Sequence, residues 1–257
     1  MTDLIKINRV TKTYKKENKR KQKIIVNNMA VDDISFPIEK GEIFGLIGES
    51  GCGKTTLVNL MLGLTKPDSG EIVFDTVDIA KLKSYRDFLP VRKRMQAVFQ
   101  NSSSSLNPQM TLEKIITEPL KNFRLPEQGI AEKLLEDVGL SSSWASRKPA
   151  QLSGGQRQRV SIARALALKP DFIILDESTS NLDMITSKQI IELLKKLNQN
   201  FDVTMMFISH DIGLVDDFCN RKAIMKNGKI LEIAKNFGSL DNHHPYTQKL
   251  LKARLQV

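Results

Sequence analysis

Gly48-Glu49-Ser50-Gly51-Cys52-Gly53-Lys54-Thr55-Thr56 fits the pattern G-x-x-x-x-G-K-[ST], and its flanks supply the context that pattern requires. Ile43-Phe44-Gly45-Leu46-Ile47 before it reads as a short apolar strand. After it, Leu57, Leu60, Met61 and Leu64 recur at helical spacing. The three glycines Gly48, Gly51 and Gly53 allow a backbone bend with N–H groups turned toward an anion, and the following helix aims its positive end at the same point. A triphosphate suits such a cradle. Lys54 is expected to reach the β- and γ-phosphates, the Thr55 hydroxyl to ligate the accompanying Mg²⁺, and Thr56 to add a phosphate contact. Cys52, set among the N–H groups of a helix start, is expected to be stabilised as a reactive thiolate. The competing reading is a glycine-rich turn that binds nothing.

Toward the N-terminus, residues 4–10 alternate as an antiparallel strand does, and residues 30–36 read as its partner across a basic loop, Lys15-Lys16-Glu17-Asn18-Lys19-Arg20-Lys21-Gln22-Lys23. That run reads as a solvated loop or as a contact for acidic headgroups. Tyr14 lies between the two strands, where an aromatic ring can stack on a purine or simply pack on the surface. Beyond the loop helix, Lys66-Pro67-Asp68-Ser69-Gly70 is a turn, and Glu71-Ile72-Val73-Phe74 resumes a strand.

Met95-Gln96-Ala97-Val98-Phe99 reads as a strand ending on Gln100, a candidate polar hinge. Residues 111–139 read as mostly helical, with Ile130, Leu134, Leu135 and Val138 on one stripe and breaks at Pro119 and Pro126. Leu152-Ser153-Gly154-Gly155-Gln156 opens a further helix with Val160, Ala163, Leu166 and Ala167 toward the core. Its free N–H groups can hold an anion, or Ser153 can serve as an ordinary N-cap. Phe172-Ile173-Ile174-Leu175 is a buried parallel strand ending in Asp176 and Glu177, at the sheet edge where ligands of such folds bind. There Asp176 can hold a Mg²⁺-bound water and Glu177 can polarise an attacking water. Ser180-Asn181-Leu182-Asp183 leads into a helix burying Ile190, Ile191, Leu194 and Leu197. Residues 203–209 form another core strand, ending on His210, which can reach a γ-phosphate. His243 and His244 have no assignable partner in the sequence.

The 257 residues, 40% hydrophobic, are enough for one substantial core. Two cysteines exclude a disulfide framework and a cysteine-ligated cluster, and the absence of an apolar targeting run points to the cytoplasm. No segment approaches the ~20 apolar residues that cross a bilayer. A net charge of +10 raises nucleic acid as a partner, but the lysines are dispersed outside the one basic run, so no nucleic acid is expected.

Taken in order, the phosphate loop, Gln100, the Leu152 to Gln156 pentad, Asp176-Glu177, Ser180 to Asp183 and His210 resemble the ATP-binding subunit of ABC transporters, over nearly the whole chain. The resemblance implies an α/β P-loop NTPase fold with a mostly parallel core sheet, an N-terminal antiparallel β-subdomain and an inserted α-helical subdomain. It implies one nucleotide-binding domain over 1–257, with the helical subdomain at about 101–165 and a C-terminal tail at about 236–257. It further implies ATP hydrolysis with Mg²⁺, in a head-to-tail pair of cassettes. Tyr14 would stack on adenine and Gly48 to Thr56 would hold the phosphates. Gln100 would sense Mg²⁺ and relay to the membrane partner, while Asp183 and Ser153, Gly154, Gly155 and Gln156 would contribute to the composite site. Glu177 would be the base and His210 the γ-phosphate sensor.

The loop sequence, Ser104-Ser105-Leu106-Asn107-Pro108-Gln109-Met110-Thr111 and the tail His244-Pro245-Tyr246-Thr247-Gln248-Lys249-Leu250-Leu251 are similar to the oligopeptide, dipeptide and nickel importer subfamily, in particular to the shorter of its paired ATPases, without an iron-sulfur extension. That implies a second ATPase subunit as heterodimer partner, two permease subunits and an extracellular solute-binding protein, with this chain peripheral at the cytoplasmic face of the membrane. Ser178 stands where the family often has Pro, Asn181 where it often has Ala, and Asn101-Ser102 where Asp-Pro is common. Alternatives are an ATPase of another importer or of an exporter, and a soluble ATPase of translation or DNA repair. The last is disfavoured by a single cassette without long heptads.

Overall fold

The computed structural model describes residues 2–18, 23–99, 106–177, 183–237 and 243–254. They fall into two compact units, Met1–Leu89 with Ile208–Val257, and Pro90–Phe207.

In the first unit, β1 (Asp3–Asn18) and β2 (Lys23–Glu39) pair antiparallel, and β1 also pairs with β4 (Ser69–Phe74), which pairs with β5 (Val77–Asp78). The inward residues Ile5, Ile7, Val10, Ile34, Phe36, Ile38, Ile72 and Phe74 are all buried, as the period-2 pattern requires. The β1–β2 pair is longer than expected. Residues 15–18 and 23–27 extend the strands into the basic run, because Ile24-Ile25-Val26 is a β-branched stretch that favours strand and pairs with Lys16 and Glu17. Residues 19–22 lie outside the described residues. The phosphate-loop strand β3 (Ile43–Ile47) is buried throughout and lies parallel to β9 (Arg221–Lys226), which forms a hairpin with β10 (Lys229–Ala234). Asn227 and Gly228 make the two-residue turn, both with positive φ (48° and 81°), as a type I′ hairpin demands. Phe36 and Phe44 stack at 4.9 Å, contributing about 1 kcal/mol beyond their burial. Helix α1 (Lys54–Met61) begins at the loop, with Leu57, Val58, Leu60 and Met61 buried. Helix α2 (Tyr85–Arg94) carries the chain into the second unit.

In the second unit, β6 (Met95–Val98) runs parallel to β7 (Phe172–Asp176), and β8 (Thr204–Ser209) lies on the other side of β7. The helices are α3 (Leu112–Asn122), α4 (Ile130–Asp137), α5 (Gly154–Leu166) and α6 (Met184–Phe201). The expected break at Pro119 does not occur. Pro119 sits three residues before the end of α3, where only a short helical stretch remains, and Pro126 alone lies in the connection. The α4 stripe and the α5 and α6 faces read from the sequence are buried, apart from the half-buried Ile130. In the first unit again, α7 (Ile212–Phe218) precedes β9, and α8 (Pro245–Arg254) ends the described chain.

Candidate functional site

The loop 48–53 is fixed by close backbone approaches that only glycine permits. A Cβ at Gly48 would lie 2.4 Å from the Met225 carbonyl oxygen, and one at Gly53, where φ is 115°, would lie 2.0 Å from that of Ala30. The Gly228 amide donates to the Cys52 carbonyl at 2.9 Å, so the β9–β10 turn also braces the loop. The other side is open: Glu49, Ser50, Gly51 and Thr55 are exposed, and a Cβ at Gly51 would meet nothing within 4 Å. Lys54 is only 6% exposed, and its Nζ donates to the carbonyls of Gly48 at 2.7 Å and Glu49 at 3.0 Å. An ammonium drawn out of water and held by neutral carbonyl dipoles fits an incoming anion, which supplies the missing counter-charge. A phosphate group therefore fits this cradle. Thr56 is half-buried in the first turn of the same helix.

Cys52 departs from expectation. Its thiol is buried, and burial pushes its pKa up despite the opposing influence of Lys54, whose Nζ is 4.0 Å from Sγ. Desolvation wins over the helix start, and the thiol rather than the thiolate is the resting form. Tyr14 is 43% exposed, with the Lys12 ammonium 5.8 Å from its ring centre. His210 comes directly after β8 and is exposed.

In the second unit, Ser153 is both N-cap and part of a capping box. Its Oγ accepts from the Gln156 amide at 3.3 Å, and the Gln156 side chain accepts from the Ser153 amide at 2.9 Å. Gly154 and Gly155 open α5 behind it. A Cβ at Gly155 would lie 2.5 Å from Cγ2 of Thr186, and Thr186 is in turn held by Asp183, which accepts from its amide at 2.9 Å and its hydroxyl at 2.7 Å. These bonds lower the pKa of Asp183 and make it the N-cap of α6. The structure thus brings Gly155 of the pentad together with Asp183 through one threonine. Asp176 ends β7 buried, and Glu177 comes next with φ at 44°. A non-glycine residue in that region costs about 1–2 kcal/mol, and such strain clusters at functional positions. Gln100 and residues 180–182, with Ser178, lie outside the described residues.

Sequence reasoning passed over the surroundings of the tail histidines. His243 pairs with Glu232 on β10, whose other oxygen accepts from the His244 amide at 3.1 Å. The Asn227-Gly228 dipeptide between two apolar alternating runs was the available signal for the hairpin that carries Glu232.

Residues 31–180 match the family model for the ABC transporter. The chain is 43% identical over 255 residues, 97% of its length and 72% of the relative's, to the probable peptide ABC transporter ATP-binding protein y4tS of Sinorhizobium fredii. It is 44% identical over 229 residues, 87% of its length and 70% of the relative's, to the oligopeptide transport ATP-binding protein AppF of Bacillus subtilis. Among solved structures it is similar to the dimeric, post-hydrolysis form of the ATP-binding cassette MJ0796 bound to ADP and Pi, at 33% identity and a TM-score of 0.77, covering 91% of this chain and 100% of that one.

Proposed function

This chain belongs to the ABC transporter family as an ATP-binding, ATP-hydrolysing subunit, and from that premise we propose that it energises the import of oligopeptides or dipeptides. The observation that carries the nucleotide site is the buried Lys54 ammonium held on loop carbonyls, ready to transfer to phosphate oxygens. Peptide as cargo is supported by the peptide-transport names of the relatives, which favour it over a nickel chelate. In this reading Tyr14 stacks on the base, while Gly48 to Thr56 bind the phosphates. Thr55 and Asp176 offer the hard oxygen donors that suit Mg²⁺, which when bound neutralises phosphate charge. Glu177 accepts a proton from the attacking water, and His210 orients the γ-phosphate. Gln100 relays to the membrane partner. Ser153, Gly154, Gly155 and Gln156, with Asp183, complete the site of a second cassette, so the working unit is a head-to-tail pair.

Two permease subunits and an extracellular solute-binding protein complete the assembly, with this chain peripheral on the cytoplasmic side. Among the described residues no helix is long and apolar enough to cross a membrane. Reconstitution with its permeases, partner ATPase and solute-binding protein tests the reading. Short peptides are expected to raise ATP hydrolysis and to accumulate on the far side, whereas stimulation by a nickel chelate alone would overturn the peptide assignment.

A further inference from the structure

The β9–β10 hairpin that braces the phosphate loop also holds the C-terminal segment. Glu232 on β10 binds His243 and the His244 amide, and the Phe237 ring meets His243 edge-on at 5.4 Å. The segment then turns into α8, with the Tyr246 amide donating to His244 Nδ1 at 3.1 Å and the Gln248 side chain donating to the His243 carbonyl at 3.0 Å. These bonds place Tyr246 under Lys226, whose ammonium is 3.9 Å from the ring centre. Lys226 is the last residue of β9 and is the direct neighbour of Met225, whose carbonyl Gly48 approaches.

Tyr246 is only 7% exposed, and its hydroxyl is buried with no hydrogen-bond partner among the described residues. The carboxylate acting on it is that of Glu49 in the phosphate loop: burial first, and then this neighbour, push the phenol up to about 12. Glu49 is also one of the two residues whose carbonyls hold Lys54. An unmet buried donor beside a loop carboxylate is costly to leave and cheap to satisfy by a small loop movement.

We propose that Tyr246 is a positioning residue for the phosphate loop, its hydroxyl engaging Glu49 and so setting the carbonyl that Lys54 must release when nucleotide binds. The C-terminal segment acts as a strap, fastened to Glu232, that fixes the loop from outside. The inference deepens the nucleotide-binding reading of the loop and rests on it.

The test is the affinity of the whole chain for a non-hydrolysable ATP analogue with Mg²⁺, measured by calorimetry on Tyr246→Phe in two backgrounds. Phe keeps the ring and its place under Lys226, and removes only the hydroxyl. In the wild-type background the variant is expected to bind about fivefold more weakly, the size of one net hydrogen bond. In the Glu49→Gln background the same change is expected to cost less than about twofold, since its partner has been altered. Equal losses in both backgrounds would reduce Tyr246 to a packing residue of α8 and overturn the proposal, as would no loss in either. If Lys54→Ala left the affinity unchanged, the nucleotide site itself would fall, and this inference with it.

Discussion

Lys54 shows how one residue can be both structurally satisfied and chemically ready. Its ammonium is bound, so the loop is ordered, but it is bound to neutral oxygens that a phosphate outcompetes. Lys54→Ala is expected to weaken MgATP binding by about 10²-fold, corresponding to about 3 kcal/mol for lost charge-assisted bonds, and to abolish turnover. Nucleotide titration and a phosphate-release assay measure both; unchanged affinity together with unchanged hydrolysis would remove the phosphate-loop assignment. Cys52 makes the opposite point about reading a motif, since proximity to a helix start was legible and burial was not. With its pKa raised by desolvation, the thiol is neutral at neutral pH, and the thiolate fraction grows as pH rises. Maleimide labelling is therefore expected to be slow at pH 7 and to climb about tenfold per pH unit through pH 9, and to be slowed by MgATP. Rapid labelling already on a plateau at pH 7 would contradict this. At Glu177 the residue type was legible and the left-handed backbone was not, because a glutamate by itself favours negative φ and gives no sign of the exception.

The elements that the sequence made plain are those with a continuous apolar run or a helix cap. Residues 43–47 and 172–175 announced themselves as apolar runs, and Ser153 and Asp183 cap the helices that they precede. Less legible were elements whose cause is pairing. The strands through 15–18 and 23–27 carry charge that argues for a loop, yet the antiparallel ladder runs through them, where the β-branched sequence Ile24-Ile25-Val26 favours strand. The contact of the pentad with Asp183 was equally hidden, since it depends on one methyl group, Cγ2 of Thr186, filling the space over Gly155. Gly155→Ala is expected to collide with that methyl and destabilise the protein by about 1–3 kcal/mol. Thr186→Ser removes the methyl and keeps the hydroxyl bonded to Asp183, so the double variant should recover most of the loss. Urea unfolding of the two single variants and the double variant decides it: equal stability of Gly155→Ala with and without the serine would show that the collision is relieved elsewhere.

For the whole molecule, the proposed mechanism requires that no cassette be complete alone. The N-terminus of α5, with its exposed Ser153 and Gly154, offers amide donors and a positive dipole end, and in the proposed pair these meet the γ-phosphate bound by the opposing loop. ATP then favours the closed pair by its differential affinity for that state, and cleavage withdraws the γ-phosphate and with it the reason to stay closed. The isolated chain should therefore hydrolyse ATP poorly, with specific activity rising as protein concentration rises or when the partner ATPase is added. Glu177→Gln separates binding from chemistry. In the proposed mechanism the amide keeps the shape of the side chain and loses the carboxylate assigned to accept the proton of the attacking water, so ATP is expected still to close the pair with nothing to reopen it. Light scattering of this variant with MgATP is expected to show accumulation of a dimer, or of a heterodimer with the partner subunit, while phosphate release falls by about 10²-fold or more. Hydrolysis at the wild-type rate would remove Glu177 as the base. An inactive variant that stays monomeric with MgATP, with and without the partner, would leave the base in place but overturn the paired mechanism, because the γ-phosphate would then have no second cassette to hold.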